Sequence, residues 1–275
     1  MKHGWLLLAL SGLLQVAHAR EPDDAARLLT DAIGKHELVL LGEMHGTREI
    51  PLMTSVLVGR YAKAEPVLLG LEVTSIDQAR VDAFLDSAGT DADFATLLAG
   101  AHWREPMHDG RDSVAMLGLL EHVRRLRAGG AEVAVVLFDA PGDGERDQRM
   151  AHALRVAMQA HPGWRTLVLT GNVHAMTGEP PSMMLPDGTP FAAPTALGRH
   201  LADLSPLSVD IAAAQGEFWG CRDKVCAPQA AGFVGAPDAL HEPRLTEPDG
   251  SWKLRLLLPR FHASPPAIAS GRHAR

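Results

Sequence analysis

Two short segments of the chain share one pattern, an apolar run that ends in a glycine and is followed closely by a histidine. They are residues 38–46 (LVLLGEMHG) and residues 166–174 (TLVLTGNVH). Short, continuously apolar runs are typical of fully buried parallel strands. Open parallel sheets build their sites at the carboxyl ends of such strands. We therefore expect His45 and His174 to meet at one edge of one sheet.

The rest of the chain alternates strand-like and helix-like segments. Apolar runs at residues 67–73 and 131–138 predict two more strands, and residues 204–213 and 253–258 are candidates for late ones. Helical patterns cover residues 23–33, 50–62, 76–85, 92–98, 113–127 and 146–159. Strands separated by helices of this length imply parallel pairing through crossover connections. The predicted fold class is α/β, a mostly parallel sheet flanked by helices with the site at the carboxyl ends of the strands.

The two ends of the chain predict an exported, single-domain protein. The first residues combine a weakly cationic start, an apolar run and the small-x-small sequence Ala17-His18-Ala19, which is typical of signal-peptide cleavage. The apolar run is roughly ten residues long, whereas a membrane span needs about twenty. We expect a periplasmic or secreted protein. The predicted organisation is a signal peptide over residues 1–19, one α/β domain over 20–263 and a disordered tail over 264–275.

Charge limits the class of partner. The net charge is -7, and the sequence has no basic cluster. Nucleic acids and anionic membrane surfaces both attract basic patches, so the composition argues against either as a partner. A small molecule or a peptide is the remaining class of substrate.

The chain has two cysteines, Cys221 and Cys226. In an exported protein, two neighbouring cysteines pair more often than they stay free. A zinc site is not indicated, because no second cysteine pair accompanies them. We predict a Cys221–Cys226 disulfide.

Acidic residues follow the same strands as the histidines. Glu43 lies two residues before His45, and Glu72 and Asp139 end the second and third strands. Two histidines with two or three carboxylates suit a divalent metal such as manganese, zinc or cobalt. They equally suit a metal-free pair in which a carboxylate raises the basicity of an imidazole. In either case Glu43 and Glu72 orient the histidines or take the proton.

Four other residues have a functional interpretation, a structural one or both. Arg146 begins a predicted helix, where a cation is mildly unfavourable, so it is a candidate for holding a carboxylate or a substrate oxygen. Asp147 beside it is explained by the helix dipole. Asn172 is either a turn residue or a substrate-binding one. Trp103 is either buried or part of a wall over the pocket.

Four motifs occur together in one order: GEMHG at residues 42–46, GLE at 70–72, RDxxMA at 146–151 and GNVH at 171–174. Together they resemble the superfamily that joins the ChaN-like haem-uptake proteins, the Tiki metalloproteases and the erythromycin esterases. The resemblance covers about half of the chain, from Leu38 to Ala175.

The resemblance implies three different uses of the same residues. In Tiki-like proteins, residues similar to His45, His174, Glu43 and Glu72 hold a divalent metal for peptide cleavage. In erythromycin esterases a histidine similar to His45 acts as a general base on water, although those enzymes usually have two residues where this chain has only Met44. ChaN-like proteins are associated with haem.

From these observations we expect an exported hydrolase that cleaves an ester or amide bond, with a divalent metal if one binds. Its expected catalytic residues are Glu43, His45, Glu72, Arg146 and His174, with Asn172 and Trp103 at the substrate. The alternative is a haem- or iron-binding uptake protein without turnover, in which a histidine is the axial ligand.

Overall fold

The computed structural model describes residues 21–105, 107–179, 183–184, 190–191, 194–222, 225–232, 240–248 and 250–268. The predicted signal peptide and the last seven residues of the predicted tail, 269–275, lie outside these ranges. Within the ranges, no helix combines the length and the apolarity needed to cross a membrane.

An eight-stranded sheet forms the centre of the protein. The strands of the chain are β1 (Leu38–Glu43), β2 (Val67–Thr74), β3 (Val133–Asp139), β4 (Arg165–Gly171), β5 (Met183–Met184), β6 (Pro190–Phe191), β7 (Leu207–Arg222), β8 (Val225–Ala231), β9 (Arg244–Thr246) and β10 (Leu254–Phe261). The sheet order is β3-β2-β4-β1-β7-β10-β9, with β8 paired to β7, while β5 and β6 form a separate pair. Neighbouring strands from β3 to β10 are parallel. Strands β8 and β9 are antiparallel to their partners.

Helices cover both faces of the sheet. They are α1 (residues 21–33), α2 (Glu49–Tyr61), α3 (Gln78–Leu85), α4 (Asp91–Leu98), α5 (Val114–Ala128), α6 (Arg146–Ala160) and α7 (Leu197–His200). Successive side chains of a strand point to opposite faces of the sheet, so β1 contributes to the hydrophobic core on each face. Val39 and Leu41 pack with the core of α1, α2 and α5, whereas Leu38 and Leu40 pack with that of α6 and α7. The predicted α/β class, a mostly parallel sheet between helices, is confirmed.

The late part of the chain differs from the prediction. Strand β7 continues to Arg222 instead of ending at Ala213, and it turns back as β8. Strand β8 contains Pro228, and all of its side chains are at least partly exposed. It lacks the continuous apolar run by which a buried strand is recognised in a sequence. Its strand conformation therefore depends on pairing with β7. Cys221 lies directly opposite Cys226 in this hairpin, and the predicted disulfide between them is present.

The segment after β10 also differs from the predicted tail. Ser264 is 3% exposed, and its backbone N–H donates to the carbonyl of Gly46 at 2.8 Å. Pro266 forms an isolated bridge with Ser113 at the start of α5. The chain therefore stays in contact with the carboxyl edge of the sheet beyond residue 263, next to the turn that carries His45.

Candidate functional site

The carboxyl ends of four adjacent strands, in the order β3-β2-β4-β1, meet at one edge of the sheet. Glu43 at the end of β1 is in register with Gly171 at the end of β4, and Asp139 ends β3 beside the end of β2. Parallel strands in register present the residues that follow them to a common cleft. His45, His174 and the three predicted acids do lie together at this edge.

His45 is held by a buried carboxylate. Its Nδ1 lies 3.0 Å from Oε1 of Glu43, which is 3% exposed, and its Nε2 lies 3.8 Å from Oε2 of Glu72. Burial lowers the pKa of His45, but the nearby carboxylates, Glu43 foremost and Glu72 next, raise it by more, so its pKa lies above the usual value. The arrangement is that of an imidazole with increased basicity whose Nε2 faces the site.

The turn that carries His45 is fixed by distant parts of the chain. The carbonyl of Gly46 accepts hydrogen bonds from the backbone N–H of Trp219 at 2.9 Å and of Ser264 at 2.8 Å. Gly46 has a φ of +75°, and a Cβ there would lie 2.0 Å from the Trp219 carbonyl oxygen. Only glycine fits both the conformation and the space.

Glu72 is a fixed anion. It is 3% exposed, and its Oε2 accepts hydrogen bonds from Thr170 Oγ1 and the N–H of Gly171, both at 2.7 Å. Its Oε1 accepts from Arg146 Nη2 at 2.7 Å and from Arg111 Nη1 at 3.2 Å. Burial raises the pKa of Glu72, but the basic side chains beside it, His45 foremost, lower the pKa well below its usual range. Glu72 is therefore poorly suited to take a proton, one of the two roles that we expected for it.

Arg146 connects three partners across the site. Its Nε and Nη2 donate to the two carboxylate oxygens of Asp139 at 3.1 and 2.8 Å, and Nη2 also donates to Glu72. Burial lowers the pKa of Arg146, but the hydrogen bonds and charges of Asp139 and Glu72 raise it above the usual value. The predicted role of holding a carboxylate in place matches this geometry.

His174 makes a hydrogen bond with each ring nitrogen. Its Nδ1 lies 2.6 Å from Oδ1 of Asp147, and its Nε2 lies 2.9 Å from Nη1 of Arg146. A guanidinium can only donate, so Nε2 accepts and the ring proton is on Nδ1. Asp147, which we explained from the sequence by the helix dipole alone, is therefore a partner of a site histidine.

The predicted metal ligands do not fit a metal ion. A metal on His174 would have to displace either Asp147 or Arg146, and Glu72 already receives four hydrogen bonds. Among the described residues, no group of three or more histidine, cysteine, aspartate or glutamate side chains has the arrangement to hold a metal. The assignment of His45, His174, Glu43 and Glu72 as a metal set is not supported.

Arg111, on the loop before α5, also belongs to the site, although no sequence pattern predicted it. Its Nη1 lies 3.2 Å from Glu72 Oε1 and 3.5 Å from Asp139 Oδ2, and its Nη2 donates to Asp109 at 2.6 Å. The pKa of Arg111 is raised, since the Asp109 and Glu72 carboxylates outweigh the lowering by burial. An aperiodic loop carries no sequence signal of where its side chains point, although Gly110 marks its close approach to the His45 turn.

This approach is very tight. Gly110 has a φ of +99°, and a Cβ there would lie 2.3 Å from the backbone nitrogen of Gly46. The carbonyl of Arg111 lies 3.1 Å from Nε2 of the buried His102, whose pKa is lowered mainly by burial. A neutral His102 can donate a hydrogen bond from Nε2 to that carbonyl. This hydrogen bond holds the loop that carries Arg111.

Of the two predicted substrate-binding residues, Trp103 has a structural role, and so does the main chain of Asn172. Trp103 is 2% exposed and packs edge-on against His102, with ring centroids 5.0 Å apart, so it belongs to the core and does not form a pocket wall. Asn172 donates its N–H to the Glu43 carbonyl at 2.9 Å and accepts from Trp252 Nε1 at 2.8 Å through its own carbonyl. Its main chain thus joins the ends of β1 and β4.

Clefts lie at both edges of the sheet. One of about 570 Å³ is at the opposite, amino edge of the sheet, between Asp86, Arg127 and Trp164. One of about 230 Å³ lies beside the candidate site, where Met44 and Asn172 form part of its wall. His45 and His174 line neither cleft, but Met44 and Asn172 are neighbours of His45 and Gly171 in the chain, so the smaller cleft is the better candidate for a substrate group.

No protein-family model matches the chain, and no curated protein matches it. Solved structures do. A variant of the erythromycin esterase EreC in its open conformation aligns over 87% of this chain and 94% of its own, with a TM-score of 0.63 and 10% identity. A Bacillus cereus protein aligns over 86% and 92%, with a TM-score of 0.53 and 12% identity.

A haem complex of ChaN from Campylobacter jejuni aligns over 84% of this chain and 91% of its own at 12% identity, but its TM-score of 0.41 is too low to argue from. At such identities a structural likeness establishes the fold and leaves the activity open. The chain therefore has the α/β fold of an erythromycin esterase, one of the three groups that its motifs resemble.

Proposed function

We propose that the protein is a hydrolase that cleaves an ester or amide bond with water activated by His45. The observation that carries this proposal is the His45–Glu43 pair, an imidazole of raised pKa on a buried carboxylate, at the carboxyl edge of the sheet. The esterase fold supports it as well. A metal ion is not part of the proposal, because the donors do not fit one.

The expected reaction begins with proton transfer. Glu43 accepts a hydrogen bond from the Nδ1–H of His45, so the lone pair on Nε2 is free to take a proton from water. The water oxygen bonds to the carbonyl carbon as the C=O π pair moves onto oxygen. When the tetrahedral intermediate collapses, the bond to the leaving group breaks, and that group takes the proton from Nε2. The products are a carboxylic acid and an alcohol or amine.

The surrounding charges suit both charged species of this reaction. The imidazolium formed at His45 would lie 3.0 Å from Glu43 and 3.8 Å from Glu72. Arg146 uses four of its five N–H groups on described partners, which leaves one on Nη1 for a substrate oxygen. A fixed guanidinium stabilises a developing oxyanion without reorganising, which is the main electrostatic contribution in acyl transfer.

The direct test is a panel of ester and amide substrates assayed with the wild type and His45→Asn. The control is Arg125→Ala, since the Arg125 side chain is 72% exposed and distant from the site. We expect hydrolysis of one substrate class, lost in His45→Asn and kept in the control. Hydrolysis that survives His45→Asn removes His45 from the mechanism, and a panel without turnover by folded wild type contradicts the hydrolase.

Elemental analysis tests the metal-free form of the mechanism. The protein is purified without a histidine tag and dialysed against a chelator. We expect unchanged turnover and no stoichiometric manganese, zinc or cobalt. About one equivalent of metal that disappears in His45→Ala/His174→Ala would restore the metal-dependent mechanism.

The haem-binding alternative stays a prediction. Nε2 of His45 is the ring nitrogen that can reach an iron, because both nitrogens of His174 are hydrogen-bonded. Haem binding then requires a Soret band on titration that His45→Ala abolishes and His174→Ala keeps. A flat titration argues against it.

We also propose that the protein is exported and that its mature form begins at Arg20, from the signal-like residues 1–19. The test is the intact mass of the protein recovered from the periplasm or medium of a bacterial host. A chain that stays cytoplasmic and keeps its first residues contradicts export.

A further inference from the structure

Asp147, His174 and Arg146 form a continuous row of hydrogen bonds beside the candidate site. We propose that His174 is a positioning residue, a neutral imidazole whose tautomer is set by Asp147 and whose Nε2 fixes the guanidinium of Arg146. In this role His174 neither binds a metal nor transfers a proton during the reaction.

The row starts at Oδ1 of Asp147, a carboxylate oxygen with two hydrogen-bond partners. Oδ1 of Asp147 lies 2.6 Å from Nδ1 of His174 and also accepts the backbone N–H of Leu197, at the start of α7, at 2.7 Å. Asp147 is 6% exposed. Because a backbone N–H can only donate, this oxygen must accept, and His174 must present a proton on Nδ1.

The other end of the row excludes a second ring proton. Arg146 has only donors and keeps its charge, since its pKa is raised further by Asp139 and Glu72 despite burial. Protonation of His174 would place an N–H opposite the N–H of Nη1 at an N–N separation of 2.9 Å and next to a second cation. Glu72 Oε1 lies 3.8 Å from the same Nε2, too far to accept a hydrogen bond from it, so the hydrogen-bond geometry favours the neutral ring.

The consequence falls on Arg146. Its side chain is 37% exposed, so the two carboxylates leave part of it open to solvent. Asp139 and Glu72 hold Nε and Nη2, while His174 holds Nη1, the nitrogen that carries the remaining N–H. His174 thus fixes the rotation of the group that faces the substrate. Arg146 and Asp147 are adjacent in the first turn of α6, so one helical turn supplies both ends of the row.

The tautomer does not depend on the proposed hydrolysis, whereas the effect on turnover does. The first experiment is therefore ¹⁵N NMR of the histidine side chains at pH 7, with His174→Ala to assign the signals. We expect a protonated Nδ1 and a bare Nε2 in the wild type. Asp147→Asn should keep this pattern, because its amide oxygen can still accept from both Leu197 and His174. In Asp147→Ala the ring loses the acceptor on its Nδ1 side and is held by Arg146 alone, so the fraction of the Nδ1–H tautomer should fall.

An imidazolium or an Nε2–H tautomer in the wild type overturns the proposal. So does an Nδ1–H fraction that is as high in Asp147→Ala as in Asp147→Asn. If Asp147→Ala does not fold, the wild type and Asp147→Asn still decide the question. These outcomes hold whether or not the protein is a hydrolase.

Turnover separates positioning from proton transfer. If His174 only positions Arg146, Asp147→Asn should keep kcat within about 3-fold, and Asp147→Ala should lower it by about 10- to 100-fold through misplacement of Arg146. If His174 instead transferred a proton during the reaction, loss of its carboxylate partner in Asp147→Asn should lower kcat by about 10⁴-fold, as in serine-protease triads. Asp203→Asn, at an aspartate that is 64% exposed and pairs with Arg155, is the control.

Discussion

Nε2 of His45 lies 3.8 Å from Oε2 of Glu72, beyond direct hydrogen bonding, and Gly171 lies beside both atoms. A Cβ on Gly171 would be 3.1 Å from His45 Nε2 and 3.5 Å from Glu72 Oε2. The absence of a side chain at Gly171 thus keeps open the space next to the nitrogen that we propose as the base.

Gly171→Ala should lower turnover by about 10-fold or more, because the methyl group takes the space that a water on Nε2 needs and displaces the imidazole slightly. Gly171 has no positive φ, so alanine is compatible with its backbone. The measurement is kcat with the melting temperature. Gly118→Ala is the control, because nothing lies within 4 Å of the added Cβ on that helix. Full activity in Gly171→Ala would show that water does not approach there.

Glu43→Gln should lower kcat by about 10²-fold or more, since a neutral amide neither stabilises the imidazolium nor specifies the tautomer of His45. The rate is measured on the alkaline plateau of the wild-type pH–rate profile, so that the loss is not a titration effect. Circular dichroism checks that the fold is kept. An unchanged kcat would exclude Glu43 from the mechanism.

The raised pKa of His45, in which the Glu43 and Glu72 carboxylates outweigh burial, predicts two pH dependences of opposite sign. Turnover should fall as pH drops through this pKa, above about 6.5, because the base becomes protonated. The contribution of His45 to the free energy of unfolding should be fully present below about pH 6.5 and lost as pH rises through the folded-state pKa.

Urea titrations of the wild type and His45→Gln between pH 6 and 9 measure the second effect. The difference between their free energies of unfolding should change with pH in favour of the wild type at the acidic end. A difference that is constant over this range, or an acidic limb of the rate that lies below pH 6, would contradict the raised pKa.

Arg111→Ala should cost about 1–3 kcal/mol of stability, since the buried Glu72 loses a charge-assisted donor. The pKa of Glu72 lies far below its usual value because the basic side chains beside it, His45 foremost and Arg111 among them, outweigh burial, so its stabilising contribution is present at neutral pH and lost in acid. The difference between the free energies of unfolding of the wild type and Arg111→Ala should therefore become smaller as pH falls. Arg125→Ala, on an exposed ion pair, should change stability by less than about 1 kcal/mol.

Replacing both cysteines by serine should cost about 2 kcal/mol, the entropy of closing a loop of this length. Cys221 Sγ lies 3.1 Å from the carbonyl oxygen of His108, on the loop that carries Arg111. Amide hydrogen exchange of residues 107–112 should therefore become faster in the double variant, while exchange in β2 stays slow. Unchanged exchange in the loop would show that the hairpin does not restrain it.

The order of strands and helices up to Ala175 could be predicted from the sequence. Buried parallel strands are apolar on both faces, so segments such as residues 67–73 are recognisable without their partners. The hairpin of β7 and β8 was not predictable in the same way, because its strand conformation comes from pairing between partly exposed segments.

Part of the site could also be predicted from the strand pattern. Glu43, His45 and Glu72 follow or end strand-like runs, and parallel strands deliver the residues at their carboxyl ends to one place. The pattern did not indicate Arg111 or the contact of Asp147 with His174, and it does not contain the protonation states of these residues. His174 is a neutral acceptor because Asp147 and Arg146 face its two nitrogens, and Glu72 is an anion because four donors surround it. Protonation and tautomer depend on distances of a few ångströms between residues far apart in the chain, which a strand or helix pattern does not encode.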